Sequence, residues 1–124
     1  MEAVRTRQRE VLDVVYRLGE ASAADVQRRL KDDVSYSAVR SVLRALEDKG
    51  LIRHRARDLR YVYSPAVPRR RASRAELKRV LGTYFKDDPE ALLETLMDLA
   101  SSPRYDVDYT ALKRVVERAR KSAD

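Results

Sequence analysis

Cysteine is absent from this 124-residue chain, which excludes disulfides, thiolate metal sites and a thiol redox switch. Histidine occurs once, at His54, so no metal site with two imidazoles exists, and acid–base catalysis has no support beyond one packed or surface ring. Three glycines do not make a phosphate-cradling loop. No apolar run approaches the ~20 residues of a membrane span, and the N-terminus carries no signal-peptide core. Asp87, Asp88 and Glu90 gather at an expected helix start, where capping accounts for them better than a metal. These absences predict a cytoplasmic protein that is not an enzyme and takes no cofactor or metal.

What the chain does have is positive charge, unevenly placed. The formal charge of +7 and the pI near 9.9 call for an anionic partner. Residues 1–71 hold 17 Lys and Arg against 10 Asp and Glu, whereas residues 72–124 hold 10 of each. All the excess therefore sits in the first half, which suggests two halves with two jobs. The length suits one compact domain, or a small domain with a helical appendage.

The densest information lies in residues 35–64. Val39, Val42, Leu43 and Leu46 recur at i, i+3, i+4 and i+7, the spacing of one buried helical face. Ser37, Ser41 and Arg44 then fall on the opposite face, with Arg40 on its flank. Ser35 can cap this helix, Val34 and Val39 can staple it, and Gly50 closes it. Strand signals follow over Leu51–Arg55 and Arg60–Tyr63, with a polar turn at Ala56–Leu59 that lacks an Asn-Gly or Asp-Gly signature. Two helices precede this unit. The first is expected to start after Thr6 as N-cap and to end at Leu18 before Gly19. The second opens at Ser22 with Asp25 as an acidic capping box and turns Val26 and Leu30 inward.

A positive, hydroxyl-bearing helix followed by an arginine-rich hairpin is the layout of a winged helix that docks on duplex DNA. Arg40 and Arg44 suit guanine edges, at ~1–3 kcal/mol of discrimination, or phosphate clamps, and the residues leave both open. Ser37 and Ser41 carry hydroxyls suited to phosphate or base contacts near a helix N-terminus. Tyr36 fits that role or packing against the head equally. Alternation puts Arg53, Arg55 and Arg57 on one face of the hairpin and Ile52 and His54 on the other. With Arg60 they suit a wing laid on the backbone or in the minor groove; a solvated edge strand is the bland alternative. Tyr61 and Tyr63 read as core rather than stacking platforms.

Pro65, Pro68 and Arg69–Arg71 read as a linker, and a fourth helix is placed at the capping box Ser73-x-x-Glu76 because positive charge opposes a helix start. Its inward residues are Leu77, Val80, Leu81, Tyr84 and Phe85. Asp88-Pro89 opens a fifth helix with Leu92, Leu93, Leu96 and Met97 inward, ended by Ser101-Ser102-Pro103. Asp108 caps a sixth, with Leu112, Val115 and Val116 on its apolar face. About 50 residues are marginal for an independent core, so these stripes are expected to form a homodimer interface; folding back on the head as one monomeric core is the alternative. The expected architecture is thus mainly α with a small β-hairpin. Residues 1–67 form a winged helix-turn-helix, and residues 68–124 form a three-helix dimerisation region. The leading function is a dimeric sequence-specific repressor. A sequence-tolerant architectural DNA-binding protein and a winged helix used for protein–protein contact are the alternatives.

The segments Arg9–Gly19, Tyr36–Arg40 leading to Leu46–Ile52, and Tyr61–Tyr63 resemble the penicillinase and methicillin-resistance repressor family of winged-helix regulators. The first 64 residues match specifically and the remainder in pattern. The resemblance implies dimers that repress antibiotic-response genes from palindromic operators, with residues 35–49 as the recognition helix. It also implies an upstream membrane-bound sensor protease that triggers cleavage at an Asn–Phe bond in the dimerisation helices. The comparable stretch here is Glu94-Thr-Leu-Met97, and the chain contains no asparagine. The copper-responsive branch senses metal through C-terminal cysteines, which this chain lacks.

Overall fold

A computed structural model describes residues 2–123, with side chains from Thr6 onward. Among these residues the order is α1 (Glu2–Leu18), α2 (Ala23–Arg29), α3 (Tyr36–Asp48), β1 (Ile52–Arg57), β2 (Arg60–Pro65), α4 (Arg69–Phe85), α5 (Pro89–Ala100) and α6 (Tyr109–Ala123). This is the mainly helical winged helix-turn-helix with a following three-helix segment that the sequence predicts. The chain divides into two compact units, residues 1–76 and 77–124.

The first unit is organised by local signals that agree with one another. Gly19 ends α1 at φ +80° and Gly50 follows α3 at φ +78°, the left-handed conformation that costs a Cβ-bearing residue ~1–2 kcal/mol. Ser22 caps α2 in a reciprocal box: its Oγ accepts from the Asp25 amide at 3.1 Å, while the Asp25 carboxylate accepts from the Ser22 amide at 3.0 Å. Those bonds hold the Asp25 carboxyl below its usual range. Ser35 caps α3 by accepting from the Ala38 amide at 3.1 Å. The Gln27 side-chain amide donates to the Val34 carbonyl at 2.9 Å, which ties α2 to the turn before α3.

These elements bury Val11, Val15, Ala21, Ala23, Val26, Val39, Leu43, Leu46, Ile52 and Tyr63 as one core. The expected inner face of α3 is therefore the observed one, with Val42 packed at the core's edge. β1 and β2 pair antiparallel from Ile52↔Pro65 to Arg57↔Arg60. Ala21, between α1 and α2, adds a bridge on the free side of β2: its amide donates to the Tyr63 carbonyl at 2.9 Å and its carbonyl accepts from the Tyr63 amide at 2.8 Å. The wing is thus fastened to the helical head along β2.

Four expectations need correction. α1 begins at Glu2 rather than after Thr6; Glu2 to Arg5 contain neither proline nor glycine, and an acidic residue favours a helix start. The hairpin strands extend to Arg57 and from Arg60, so the turn is only Asp58-Leu59, both at positive φ (50° and 67°). That is the conformation of a two-residue type I′ turn, here without the usual glycine. Tyr63 is core, but Tyr61 is half-exposed.

The fourth correction concerns α4, which starts at Arg69, so only residues 66–68 connect it to β2. Pro68 supplies the start, its carbonyl accepting from the Ala72 amide at 3.0 Å. Arg69 escapes the unfavourable dipole by reaching back to α1, where its guanidinium donates to the Tyr16 carbonyl and lies 5.8 Å from the Tyr16 ring centroid. Tyr16 Oη in turn donates to the Val67 carbonyl at 2.8 Å. The expected Ser73–Glu76 box does not form: Ser73 Oγ donates to the Arg70 carbonyl, and Glu76 pairs with Arg9 at 2.9 Å.

In the second unit the caps are as expected. Asp88 accepts from the Glu90 amide and Asp108 from the Ala111 amide, both at 3.0 Å, and Pro89 stands at the first position of α5. Yet α4, α5 and α6 bury no residue within the chain. Val80, Leu81, Phe85, Leu92, Met97 and Leu112 are partly covered, while Leu77, Tyr84, Leu93, Leu96, Val115 and Val116 are exposed. The expected inward residues therefore have no core of their own.

Candidate nucleic-acid interface

The outward face of α3 carries Tyr36, Ser37, Arg40, Ser41 and Arg44, all exposed. Burial of Val39, Leu43 and Leu46 fixes the helix about its axis, so these five side chains are held out by the same packing that holds the core. Arg40 and Arg44 make no ion pair among the described residues. Two unneutralised guanidinium groups on a fixed helix face form a ready anion surface, able to grip a phosphate or to take a guanine edge bidentately.

Two open grooves separate this face from the hairpin. One is lined by Ser37, Arg40, Ser41, Arg44, Glu47, His54, Tyr61 and Tyr63. The other runs from the start of α2 past Tyr36 and Arg40 to Leu59, Arg60 and Tyr61 at the wing tip. Arg40 and the two tyrosines border both, which makes Arg40 the centre of the surface. His54 Nδ1 lies 2.6 Å from a Glu47 carboxylate oxygen, and its ring stacks on Tyr61 with centroids 4.2 Å apart. Burial pushes the Tyr63 hydroxyl pKa up, and the Glu47 carboxylate pushes it the same way. Tyr63 is therefore a neutral phenol at physiological pH.

Register decides what each face of the hairpin presents. His54 pairs with Tyr63 and Ala56 with Tyr61, so these share the face that borders α3; Arg53 and Arg55 pair with Ser64 and Val62 on the other face and Arg57 lies with them, while its partner Arg60, at the turn, lines the groove at the wing tip. There Glu20 gathers two of them. Arg55 donates to both Glu20 carboxylate oxygens at 3.1 and 2.9 Å, and Arg57 donates to one of them at 3.1 Å. Arg53 and Arg60 take part in no ion pair among the described residues. The structure thus brings Tyr36, Ser37, Arg40, Ser41, Arg44 and Arg60 to the grooves beside α3, and it sets Arg53, Arg55 and Arg57 on the hairpin's opposite face. Sequence reasoning left out Glu47, His54, Tyr61 and Leu59 as groove residues, and Glu20 as the partner of the wing arginines. Strand alternation already separated His54 from the arginines; only tertiary packing reveals which face turns toward α3.

Comparison with protein families matches residues 5–118 to the penicillinase repressor family. The chain belongs to that family. The penicillinase repressor match spans both units, so the head and the exposed helices after it are parts of one family pattern. It makes the protein a DNA-binding transcriptional regulator of the repressor type, with α3 as the helix that follows the turn in its helix-turn-helix. A search of curated proteins finds no match. Among solved structures, the crystal structure of an ArsR family transcriptional regulator is similar at 21% identity, with a TM-score of 0.40, over 60% of this chain and 77% of that one. No helix among the described residues of this penicillinase repressor relative is long and apolar enough to cross a membrane.

Proposed function

We propose that the protein is a homodimeric repressor that reads a palindromic operator. Each protomer sets α3 in a major groove, with Arg40 and Arg44 nearest the bases and Tyr36, Ser37 and Ser41 on flanking phosphates. Arg53, Arg55, Arg57 and Arg60 carry the wing's contact with the backbone. Residues 1–67 act as the DNA-binding part and residues 68–124 as the dimerisation part, through Leu77, Val80, Leu81, Tyr84, Leu92, Leu93, Leu96, Met97, Leu112, Val115 and Val116. The observation that carries this reading is the exposed, unpaired Arg40 and Arg44 on a helix whose opposite face is fixed in the core. Exposed leucine and valine on α4–α6 support the dimer, because two-fold symmetry turns two short recognition surfaces into one long one. If a membrane-bound sensor protease relieves repression, it acts through a bond other than Asn–Phe, since the chain has no asparagine.

Selection of duplexes from a random DNA pool at physiological salt tests this. The expected result is an inverted repeat with half-sites about one helical turn apart. An unenriched pool bound with steep salt dependence identifies a sequence-tolerant coater instead and overturns the reading.

A further inference from the structure

Leu59 is the side chain least explained by the fold. It stands at the wing tip at φ 67°, in the left-handed region where glycine or asparagine is at home and leucine is strained. Its side chain is fully exposed, so no packing within the chain compensates the strain. Arg57 precedes it by two residues and Arg60 follows it directly, and Leu59 borders the groove shared with Tyr36 and Arg40. An apolar side chain framed by guanidinium groups, continuous with the α3 surface, matches a ligand that is anionic outside and apolar inside. Duplex DNA has that character, with phosphates at the rim of each groove and stacked bases beneath.

We propose that Leu59 is an apolar wedge that enters the minor groove beside the half-site, while Arg60 holds the adjoining phosphate. Inserted there, the leucine buries against sugar faces and base edges, partly opens a base step and bends the duplex toward its major groove. The inference rests on the DNA-binding reading above and adds to it a residue and a position on the DNA. The strain belongs to this role: a wedge must sit at the apex, and the two-residue turn has only left-handed positions to offer.

The test uses the full-length protein and the duplex that the wild-type chain itself enriches. Leu59→Asn, which suits the left-handed turn, is expected to raise Tm, to weaken binding about tenfold and to reduce the bend measured by phased gel mobility. Leu59→Met and Leu59→Gln carry the same backbone strain as leucine and differ in polarity. Met is expected to keep wild-type affinity and bend, and Gln to lose both as Asn does. Equal binding and bending by wild type, Gln and Met overturn the wedge while leaving operator recognition intact. If the wild-type chain enriches no duplex, the operator-recognition reading itself has failed.

Discussion

At the residue scale, Arg40 and Arg44 hold no carboxylate or carbonyl among the described residues, unlike six other arginines of the first unit. Arg7, Arg9, Arg28, Arg55, Arg57 and Arg69 each hold a carboxylate or a carbonyl, so their charge is already partly spent. Substituting Arg40 or Arg44 by alanine is therefore expected to leave folding stability within the scatter of surface changes, about 0.5 kcal/mol. Each change should cost ~1–3 kcal/mol of operator affinity, about five- to 150-fold. Competition titrations read the distinction: a base contact loses preference for one position of the half-site, a phosphate contact weakens all sequences alike. Glu20 supplies the opposite experiment. Its carboxylate holds Arg55 and Arg57 at 2.9 to 3.1 Å, and both pairs are exposed, so their worth to stability is about 0–1 kcal/mol. Glu20→Gln should leave folding almost unchanged, tighten DNA binding at low salt, and steepen the log K against log salt slope by up to about 0.9 for each arginine that gains a phosphate. An unchanged slope would mean that neither arginine reaches DNA.

At the element scale, stability of the head depends on caps as much as on the core. Ser22→Ala removes the hydroxyl's bond of the α2 box, leaving the backbone amide's bond to Asp25, and should lower stability by about 0.5–2 kcal/mol in chemical denaturation. Asp25→Asn should flatten the acid limb of the stability profile. The Asp25 carboxyl lies below its ordinary 3.8 in the folded chain, so its contribution is complete above that value and is lost as pH falls through the lower folded one. Asparagine has no carboxyl to titrate, so that loss disappears. Caps of this kind are also why the helices were legible in the sequence. Ser22, Ser35, Asp88 and Asp108 each announced a start that the structure keeps, and the Val39–Leu46 period fixed which side of α3 is buried. The failures at α4 and at the wing arginines share a cause, a partner distant in sequence. α4 starts at Arg69 because Tyr16, some fifty residues earlier, takes up the charge. The hairpin turn tightens to Asp58-Leu59 because strand pairing runs to Arg57↔Arg60. The wing arginines alternate as read, but the bridge from Ala21 to Tyr63 brings Glu20 beside them, and local pattern carries no trace of that.

At the scale of the whole molecule, the distribution of burial sets the two units apart. The first buries a continuous core between Val11 and Tyr63, whereas α4, α5 and α6 bury no residue and leave Leu77, Leu93, Leu96, Leu99, Val115 and Val116 exposed. Helices of 12 to 17 residues are marginal in water without an apolar face to cover. Exposing this much leucine and valine is costly at ~25 cal/mol per Å². A second copy of the chain removes both difficulties at once, because a self-complementary patch buries itself twice about a two-fold axis. Leu93→Glu with Leu96→Glu places two carboxylates in that patch and leaves the sequence of the head unchanged. Sedimentation at micromolar concentration should then show a dimer for the wild-type chain and a monomer for the double variant. Cooperative melting of the head should survive, since its core lies elsewhere. Operator affinity should fall by about 10²–10⁴, the gain that joining two half-site contacts brings, while affinity for an isolated half-site stays the same. A double variant that still sediments as a dimer places the interface on another face of α4 or α6. One that is monomeric yet binds the full operator undiminished breaks the link between the two units' tasks.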